Sequence, residues 1–408
     1  MALTCRVEEP STASIPDSFT AAKSRGFNSG GVAIINLDPF AHAARWVLRR
    51  RPTSGAQHPA SVMTTSTTTR GLALVTGGSG YVAGYCISQL LSEGWRVRTT
   101  VRNLARAEDA RATIGKIAPK AAAIEFMAAD LNSDAGWADA VVGADYVLHV
   151  ASPLPAVNPK SDDELVRAAR NGALRVLKAS RDVGVKRVVM TSAMAAIAYG
   201  RGERAEPFSE ADWTDETNRN DTSAYERSKT IAERAAWAWH KAEGGALELV
   251  TINPALVLGP VLGSDFSASL EAIKKLLDGS LPALPHFGFS LVDVRDIAQL
   301  HLLAMTAPAA SGQRFIGSSD FLWMKDMAII LKQGLGDKAQ KVPSISLPDF
   351  LVRLFAIFDP VLRGRLFELG KRRLVSSDKA RRMLGWTTRP TRETILDAAA
   401  SLQVQGIV

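Results

Sequence analysis

This sequence has few cysteines, no long apolar run and only a small excess of one charge. Each of these features excludes a class of protein. The 408 residues include two cysteines, Cys5 and Cys86, which are too few for a disulfide framework. No run of about 18 apolar residues occurs, so we expect no transmembrane helix and no membrane partner. We therefore expect a cytoplasmic protein without a metal site, in which Cys86 is a small core residue.

The formal charge of +8 is small once it is divided along the chain. Residues 1–70 hold eight basic and four acidic residues, and the rest of the chain holds 41 basic and 37 acidic ones. The longer part therefore has only a slight positive excess, without a concentrated basic patch. We expect no nucleic-acid partner.

Residues 1–70 do not resemble part of a folded domain. They are rich in Ser, Thr, Ala, Pro and Gly, and Glu8 and Glu9 stand where a secretory signal has its apolar core. A transit peptide is poor in acidic residues, which argues against that alternative too. We expect a disordered extension over 1–70, with Met63 as a candidate start of the native protein. A peptide from residues 1–62, detected by mass spectrometry, would disprove that start.

The stretch LALVTGGSGYVAGYCISQLLSEGWRVRTTVRN, residues 72–103, organises the rest of the chain. A short apolar run, a glycine-rich turn, a helical pattern and a second apolar run follow one another. This order predicts the first βαβ unit of a dinucleotide-binding fold, in which Gly77 permits a tight turn and Gly80 leaves room for a pyrophosphate at the helix N-terminus. The predicted contacts of the cofactor in this turn are Gly77, Ser79, Gly80, Tyr81 and Val82.

The end of the second predicted strand indicates which nicotinamide cofactor is bound. An NAD site usually has an acid there, about 20 residues past the glycines, which holds the ribose 2′-hydroxyl. This chain has Arg102 instead, and the first acid is Glu108. Since a guanidinium matches the oxygens of a 2′-phosphate, we predict NADP(H). The alternative is that Arg102 is a solvated surface side chain.

Three further strand patterns, at 123–127, 145–150 and 186–190, alternate with helical patterns. This alternation predicts an α/β fold with a doubly wound parallel sheet of the Rossmann type. We predict that Asp130 accepts a hydrogen bond from the adenine amino group; alternatively it caps a helix over 132–137. Small residues after the fourth strand leave room for the cofactor. The additional predicted cofactor contacts are Asp130, Leu131, Ala151 and Ser152.

Tyr225 and Lys229 are four residues apart in a helical pattern over 224–242, so their side chains share one face. A tyrosine phenol titrates near ~10, and a nearby ammonium is expected to lower that pKa. The hydroxyl of Ser192, after the fifth strand, is a candidate donor to a substrate carbonyl. This pattern predicts acid–base catalysis, whereas an ordinary surface helix is the alternative.

The alternating pattern weakens after residue 260. We predict a Rossmann domain over 71–260 together with 290–317, and a smaller substrate-binding domain from 261–289 and 318–400. The apolar stretch from Phe350 to Phe358 predicts a core or pocket-lining helix.

Together these motifs resemble the extended short-chain dehydrogenase/reductase (NAD-dependent epimerase/dehydratase) superfamily, over roughly residues 71–400. Within it the chain is most similar to the branch of dihydroflavonol 4-reductase, cinnamoyl-CoA reductase and NADPH-dependent aldehyde reductase. The motifs that carry the likeness are VTGGSGYVAG, VRTTVRN, AADL, LHVASP, RVVMTS, YERSKTIAERAAW, TINPALVLGP and VDVRDIAQLH.

The resemblance implies hydride transfer from NADPH to the carbonyl carbon of a small molecule. Tyr225 would be the general acid, Lys229 would assist it and bond the ribose, and Ser192 would stabilise the oxyanion. Pro254 and Val257 match the family's backbone wall beside the nicotinamide.

One departure concerns the catalytic hydroxyl. The family usually has two serines after the threonine, and the second is often catalytic, but here it is Ala193. Either Ser192 or Thr191 takes the role, or the hydroxyl is lost; we favour Ser192.

Two other functions stay open. A nucleotide-sugar epimerase/dehydratase or a hydroxysteroid dehydrogenase/isomerase shares the Tyr and Lys. A non-enzymatic alternative is a binding protein that senses NADP. Superfamily members are monomers or homodimers, and nothing in the sequence distinguishes these states.

Overall fold

The computed structural model describes residues 70–153, 162–263 and 267–408. The predictions for residues 1–69, including Met63 and the extension, lie outside the described residues. In the described residues the strands are β1 (Arg70–Val75), β2 (Trp95–Val101), β3 (Glu125–Ala128), β4 (Tyr146–His149), β5 (Arg187–Thr191), β6 (Glu248–Pro254), β7 (Leu256–Leu258), β8 (Gly288–Asp293), β9 (Arg314–Gly317) and β10 (Phe321–Trp323). The α-helices are α1 (Tyr81–Ser92), α2 (Ala107–Gly115), α3 (Trp137–Val141), α4 (Asp162–Asp182), α5 (Ala224–Glu243), α6 (Glu271–Leu277), α7 (Val294–Thr306), α8 (Met324–Leu335), α9 (Asp349–Phe355), α10 (Pro360–Arg363), α11 (Asp378–Leu384) and α12 (Thr391–Val404).

Seven parallel strands form the main sheet in the order β3-β2-β1-β4-β5-β6-β9. The apolar run of β1 is central because both of its faces are buried, and Leu74 pairs with Arg98 of β2 and Val147 of β4. The strand order reverses between β1 and β4, and in such sheets the ligand crevice lies at that point, outside the carboxyl ends of the strands. The predicted doubly wound α/β fold is confirmed.

The segment after β3 differs from its prediction. The sequence suggested a helix over 132–137, but α3 begins at Trp137, after Gly136 with φ of 84°. The indole of Trp137 donates to the backbone carbonyls of Asp130 and Ser133 at 3.0 and 3.1 Å, which fixes residues 130–136 as a turn.

A second sheet of three strands, in the order β10-β8-β7, lies in the C-terminal half. Around it is a separate apolar core whose members come from Leu258 to Leu291 and from Met324 to Leu402. These ranges lie near the predicted boundaries of the substrate-binding domain, and the domain division itself stays a prediction.

For Phe350 to Phe358 the sequence predicted a core or a pocket-lining helix, and the core alternative is wrong, whereas Arg353 of this stretch lines a cleft. Only Val352 of α9 is buried, whereas Phe350 and Phe358 are 69% and 81% exposed. The apolar residues of this stretch are spread around the helix rather than along one face. The many apolar residues of this stretch led to the prediction of burial, but a helix buries only the side chains on one face.

Two features are absent from the described ranges. No helix in them is both long enough and apolar enough to cross a bilayer. No group of three or more His, Cys, Asp or Glu side chains there is arranged to hold a metal ion. Cys86 is fully buried in α1, as expected for a small core residue.

Candidate active site

Gly77 is the residue of the turn after β1 whose backbone conformation favours glycine. Gly77 has φ of +76°, a conformation that other residues rarely adopt. A Cβ atom on Gly77 would lie 3.0 Å from the Cβ of Ala151, so the turn and the end of β4 lie side by side. The amide of Gly80 donates to the carbonyl of Gly77 at 2.8 Å and closes the turn.

The N-terminus of α1 has the properties of an anion site. Its N-cap is Gly80, without a side-chain cap, and its first turn has no acidic residue. The first amides therefore lack partners within the helix, and the helix dipole adds partial positive charge. Ser79 is exposed, while Tyr81 and Val82 are half-buried. These residues, with Gly77, fit the diphosphate of a dinucleotide.

Arg102 lies exposed at the end of β2, beside this turn. The amides of Gly77 and Gly78 donate to Oγ1 and to the carbonyl of Thr100, at 3.0 and 2.8 Å, and so join the turn to β2. Within residues 70–153, 162–263 and 267–408, no carboxylate pairs with Arg102. Its guanidinium therefore fits a 2′-phosphate, and that contact stays a prediction.

Asp130 and Leu131 have different surroundings. Oδ1 of the half-buried Asp130 accepts from the amide of Asn132 at 2.9 Å, which stabilises the turn. A bond from its other oxygen to adenine stays a prediction. Leu131 is buried, and its carbonyl accepts from Arg175, so this residue contributes mainly to the core under α4.

Tyr225 and Lys229 are presented by the first turns of α5. Ser223 and Glu226 form a capping box that fixes where this helix begins. The Lys229 ammonium donates to Oγ of Ser152 at 3.1 Å and lies 5.9 Å from the Tyr225 ring centroid. The structure thus brings Lys229 to the end of β4, with Tyr225 beside it on the same helix.

The segment after β4 is ordered by the buried Thr76. Its hydroxyl accepts from the amide of Ala151 at 3.0 Å and contacts Nδ1 of His149 at 3.0 Å. Burial lowers the pKa of His149 to about 3, and the Lys229 ammonium adds to this shift, so the ring is neutral and structural.

The pKa values in this site correct one expectation. The sequence suggested that Lys229 lowers the pKa of Tyr225, but burial raises it to about 12, with Glu226 raising it further and Arg365 lowering it. Burial also lowers the pKa of Lys229 to about 8, against the effect of Glu233, which raises it. At neutral pH Tyr225 is a phenol and Lys229 is mostly an ammonium.

Ser192 is buried, and its hydroxyl donates to Oε2 of Glu233 at 2.5 Å. Glu233 is fully buried and also accepts from Asn253 Nδ2 at 2.7 Å, Thr251 Oγ1 at 3.0 Å and Arg314 Nε at 2.7 Å. A hydroxyl has one proton, so Ser192 cannot donate to a carbonyl while it bonds Glu233. The structure does not direct Ser192 toward Tyr225, and its catalytic role stays a prediction.

Glu233 is the residue that the sequence reasoning missed. It lies four positions after Lys229 on α5, in the pattern Ala-Glu-Arg-Ala-Ala-Trp, so an acid on the buried face of the helix was visible. Thr191, the second candidate hydroxyl, lies 2.7 Å from Nε2 of His301, which is fully buried. Burial lowers the pKa of His301 to about 4, so a core role fits this histidine.

The remaining predicted residues lie on neighbouring strands. Pro254 ends β6 and is buried, and Val257 in β7 is half-buried. Asp293 caps α7 by accepting from the amide of Arg295 at 2.8 Å, and Asp296 pairs with Arg389 at 2.8 Å. Both acids therefore have structural roles.

Comparison with known proteins identifies a family model, sequences and a solved structure that resemble this chain. The sequence model of the NAD dependent epimerase/dehydratase family matches residues 73–316. Tetraketide alpha-pyrone reductase 2 of Arabidopsis thaliana is 35% identical over 255 residues, which are 61% of this chain and 78% of that protein. Cinnamoyl-CoA reductase 1 of the same plant is 35% identical over 248 residues, 60% of this chain and 70% of that one.

A solved structure shares the fold. It is the yeast methylglyoxal/isovaleraldehyde reductase Gre2 complexed with NADPH, with a TM-score of 0.68 and 24% sequence identity. The match covers 83% of this chain and all of that chain.

Proposed function

The chain belongs to the NAD dependent epimerase/dehydratase family, and we propose that within it the protein is an NADPH-dependent reductase of an aldehyde or ketone. The observation that carries the proposal is the placement of Lys229, which bonds Ser152 at 3.1 Å beside the glycine turn, with Tyr225 one helical turn earlier. The reductases among the relatives support this choice of activity.

The proposed cofactor is NADPH, which supplies a hydride when bound. The turn and the N-terminus of α1 would hold its diphosphate, and Arg102 its 2′-phosphate. The small residues after β4 leave the space that the cofactor needs to cross the sheet. The other proposed contacts are Asp130, Leu131, Ala151, Ser152, Pro254 and Val257.

Tyr225 is the proposed general acid. Reduction of a carbonyl creates an alkoxide that needs a proton, and a phenol with a pKa of about 12 holds its proton at neutral pH until that base develops. Lys229, whose ammonium lies 5.9 Å from the Tyr225 ring centroid, would bond the nicotinamide ribose, as in the family. Ser192 as a second donor is compatible with the structure only if its hydroxyl leaves Glu233.

The test is the initial rate of NADPH oxidation with aromatic aldehydes, aliphatic ketones and a dihydroflavonol. We expect turnover with NADPH and a loss of about a hundredfold or more in Tyr225→Phe, because the proton donor is removed. Tyr146→Phe is the matched control, since Tyr146 is a half-buried tyrosine in β4 and has no proposed catalytic role. An inactive wild type with bound cofactor would contradict the reductase and favour an epimerase or a sensor.

A further inference from the structure

Exposed apolar side chains are concentrated around α9 and α10. Among the described residues, thirteen large apolar side chains are exposed, and seven of them lie in the seventeen positions from 345 to 361. Single exposed apolar residues are ordinary, but a contiguous group of them marks a site of interaction with a protein or a membrane. We call this group the α9–α10 surface, and its members are Ile345, Phe350, Leu354, Phe355, Ile357, Phe358 and Val361.

The backbone of the α9–α10 surface is held by hydrogen bonds. Val352 and Ala356, four positions apart, form the buried face of the segment. Phe350 and Leu354 lie on the opposite side, because two residues rotate a helix by about 200°. Nε of Arg363, in α10, donates to the carbonyl of Ala356 at 3.0 Å and so joins α10 to the end of α9. The apolar side chains are therefore presented outward by a fixed backbone.

Basic side chains accompany this surface. Arg353, Arg363 and Arg365 are exposed, and none of them pairs with a carboxylate of the described ranges. The segment 345–365 contains these three arginines and two aspartates, so its formal charge is +1. One of the two acids, Asp359, accepts from two backbone amides of α10 at 2.8 and 3.1 Å. The positive charge of the arginines is therefore available to an anion outside the protein.

A basic cleft adjoins the α9–α10 surface. Its volume is about 580 Å³, and its lining includes Arg353 and Arg363 on one side and Arg219 and Arg227 on the other. Asp162, which pairs with Arg219 and Arg227, is the only acid among the described residues that line it, so its formal charge is +3. A cleft lined mainly by one sign of charge attracts the opposite ion. The cleft therefore offers room for an anionic group beside an apolar surface.

We propose that the α9–α10 surface attaches the protein to the surface of a lipid bilayer that contains anionic lipids. Phe350, Phe358 and their apolar neighbours enter the headgroup region, and the arginines bind lipid phosphates. Exposed Phe and Leu side chains together with basic ones are typical of segments that lie in a membrane interface, and each basic residue near an anionic surface strengthens the binding. The formal charge of the whole chain, +8, acts in the same direction.

A second copy of the chain fits this surface less well. A two-fold interface would place the same surface of each copy against the other, so that Arg353, Arg363 and Arg365 would face their own equivalents. Like charges that face each other across an interface oppose association. The sequence predicted no membrane partner because no apolar run is long enough to span a bilayer, but attachment to one side of a bilayer needs no such run.

The test is co-sedimentation of the full-length protein with lipid vesicles. One set contains equal amounts of phosphatidylcholine and phosphatidylglycerol, and the other contains phosphatidylcholine alone. We expect binding to the mixed vesicles that weakens at high salt, because salt screens the arginines, and little binding to phosphatidylcholine alone. Phe350→Ser/Phe358→Ser should weaken binding to the mixed vesicles by about tenfold or more, because apolar area is lost. Arg353→Gln should weaken it about fivefold.

The controls are Val404→Ser and Arg382→Gln. Both residues are exposed, in α12 and α11, and neither belongs to the α9–α10 surface, so these variants should bind like the wild type. The substituted phenylalanines are exposed too, so their variant should keep the Tm of the wild type. Arg353→Gln tests the surface independently of any loss of stability in the phenylalanine variant.

Three results would overturn the inference. They are no binding to the mixed vesicles, equal binding to both sets, and binding that is kept in both the phenylalanine and the Arg353→Gln variants, which would assign it to another part of the chain. Sedimentation velocity tests the other occupant: a wild-type dimer that becomes a monomer in Phe350→Ser/Phe358→Ser, without vesicle binding, would assign the surface to a second copy. None of these measurements uses NADPH oxidation, so they are independent of the proposed function.

Discussion

Replacing Ser192 by alanine separates a catalytic role of this serine from a structural one. The variant removes a hydroxyl that donates to Glu233 at 2.5 Å in a fully buried environment. If that bond is the function of Ser192, the variant is less stable but still active. If Ser192 instead stabilises the oxyanion, the variant is slow.

The expected loss of stability follows from the charge of the acceptor. A hydrogen bond to a charged group contributes about 1.5–3 kcal/mol, and the three other donors to Glu233, from Asn253, Thr251 and Arg314, remain. We therefore expect Ser192→Ala to lower the free energy of unfolding by about 2 kcal/mol. In a domain of this size that corresponds to a decrease in Tm of about 4 °C.

The assay is thermal unfolding together with NADPH oxidation at saturating carbonyl. Ser180→Ala is a matched control, because Ser180 is equally buried but donates to the neutral carbonyl of Val176 at 2.7 Å. Its loss should cost only about 1 kcal/mol. We expect turnover of Ser192→Ala to stay within about threefold of the wild type, whereas removal of one oxyanion donor costs about 10²–10³-fold. A hundredfold slower variant with an unchanged Tm would refute this reasoning and support the catalytic assignment.

Two further predictions concern the cofactor and the lysine. Arg102→Ala should lower kcat/KM for NADPH by at least about tenfold and leave kcat/KM for NADH unchanged, because only NADPH has the 2′-phosphate that pairs with the guanidinium. Equal losses with both cofactors would contradict this prediction. Burial lowers the pKa of Lys229 from 10.5 to about 8. Between these two pH values the unfolded chain binds more protons than the folded chain, so the free energy of unfolding rises with pH. Below pH 8 the folded protein bears the full cost of burying the ammonium. Lys229→Met should therefore raise the free energy of unfolding at pH 7 by at most about 3 kcal/mol. The same variant should oxidise NADPH more slowly. A lower Tm of the variant in thermal unfolding would contradict this prediction.

Local patterns predicted the parts of the site that depend on sequence neighbours. The apolar run at 72–75 and the glycines after it determine a strand and a turn within ten residues, and β1 with α1 follow that pattern. Tyr225 and Lys229 share a face because the helix repeats every 3.6 residues, whatever packs against it. Their proximity to the end of β4 was not predicted, and it depends on the bond from Lys229 to Ser152, 77 positions earlier.

Local sequence patterns could not predict contacts between distant segments. Ser192 bonds a carboxylate 41 positions later, and nothing near residue 192 indicates that partner. The pKa of Tyr225 depends on burial by several segments, and this effect exceeds that of any single charge. A cleft lined by Arg219, Arg227, Arg353 and Arg363 is assembled from segments that begin at 162, 219 and 353, so the nearly balanced composition of the chain does not show its charge.

The protonation states of Tyr225 and Lys229 favour one direction of the proposed reaction. A phenol with a pKa of about 12 gives up its proton only to a strong base, and the alkoxide formed by reduction of a carbonyl is such a base. Oxidation of an alcohol would need the phenolate, which is scarce at neutral pH because burial, and to a smaller extent Glu226, raise the pKa of Tyr225. The ammonium of Lys229, bonded to Ser152 rather than to the phenol, does not remove this preference. The site described by these residues is therefore better suited to donate a proton than to accept one.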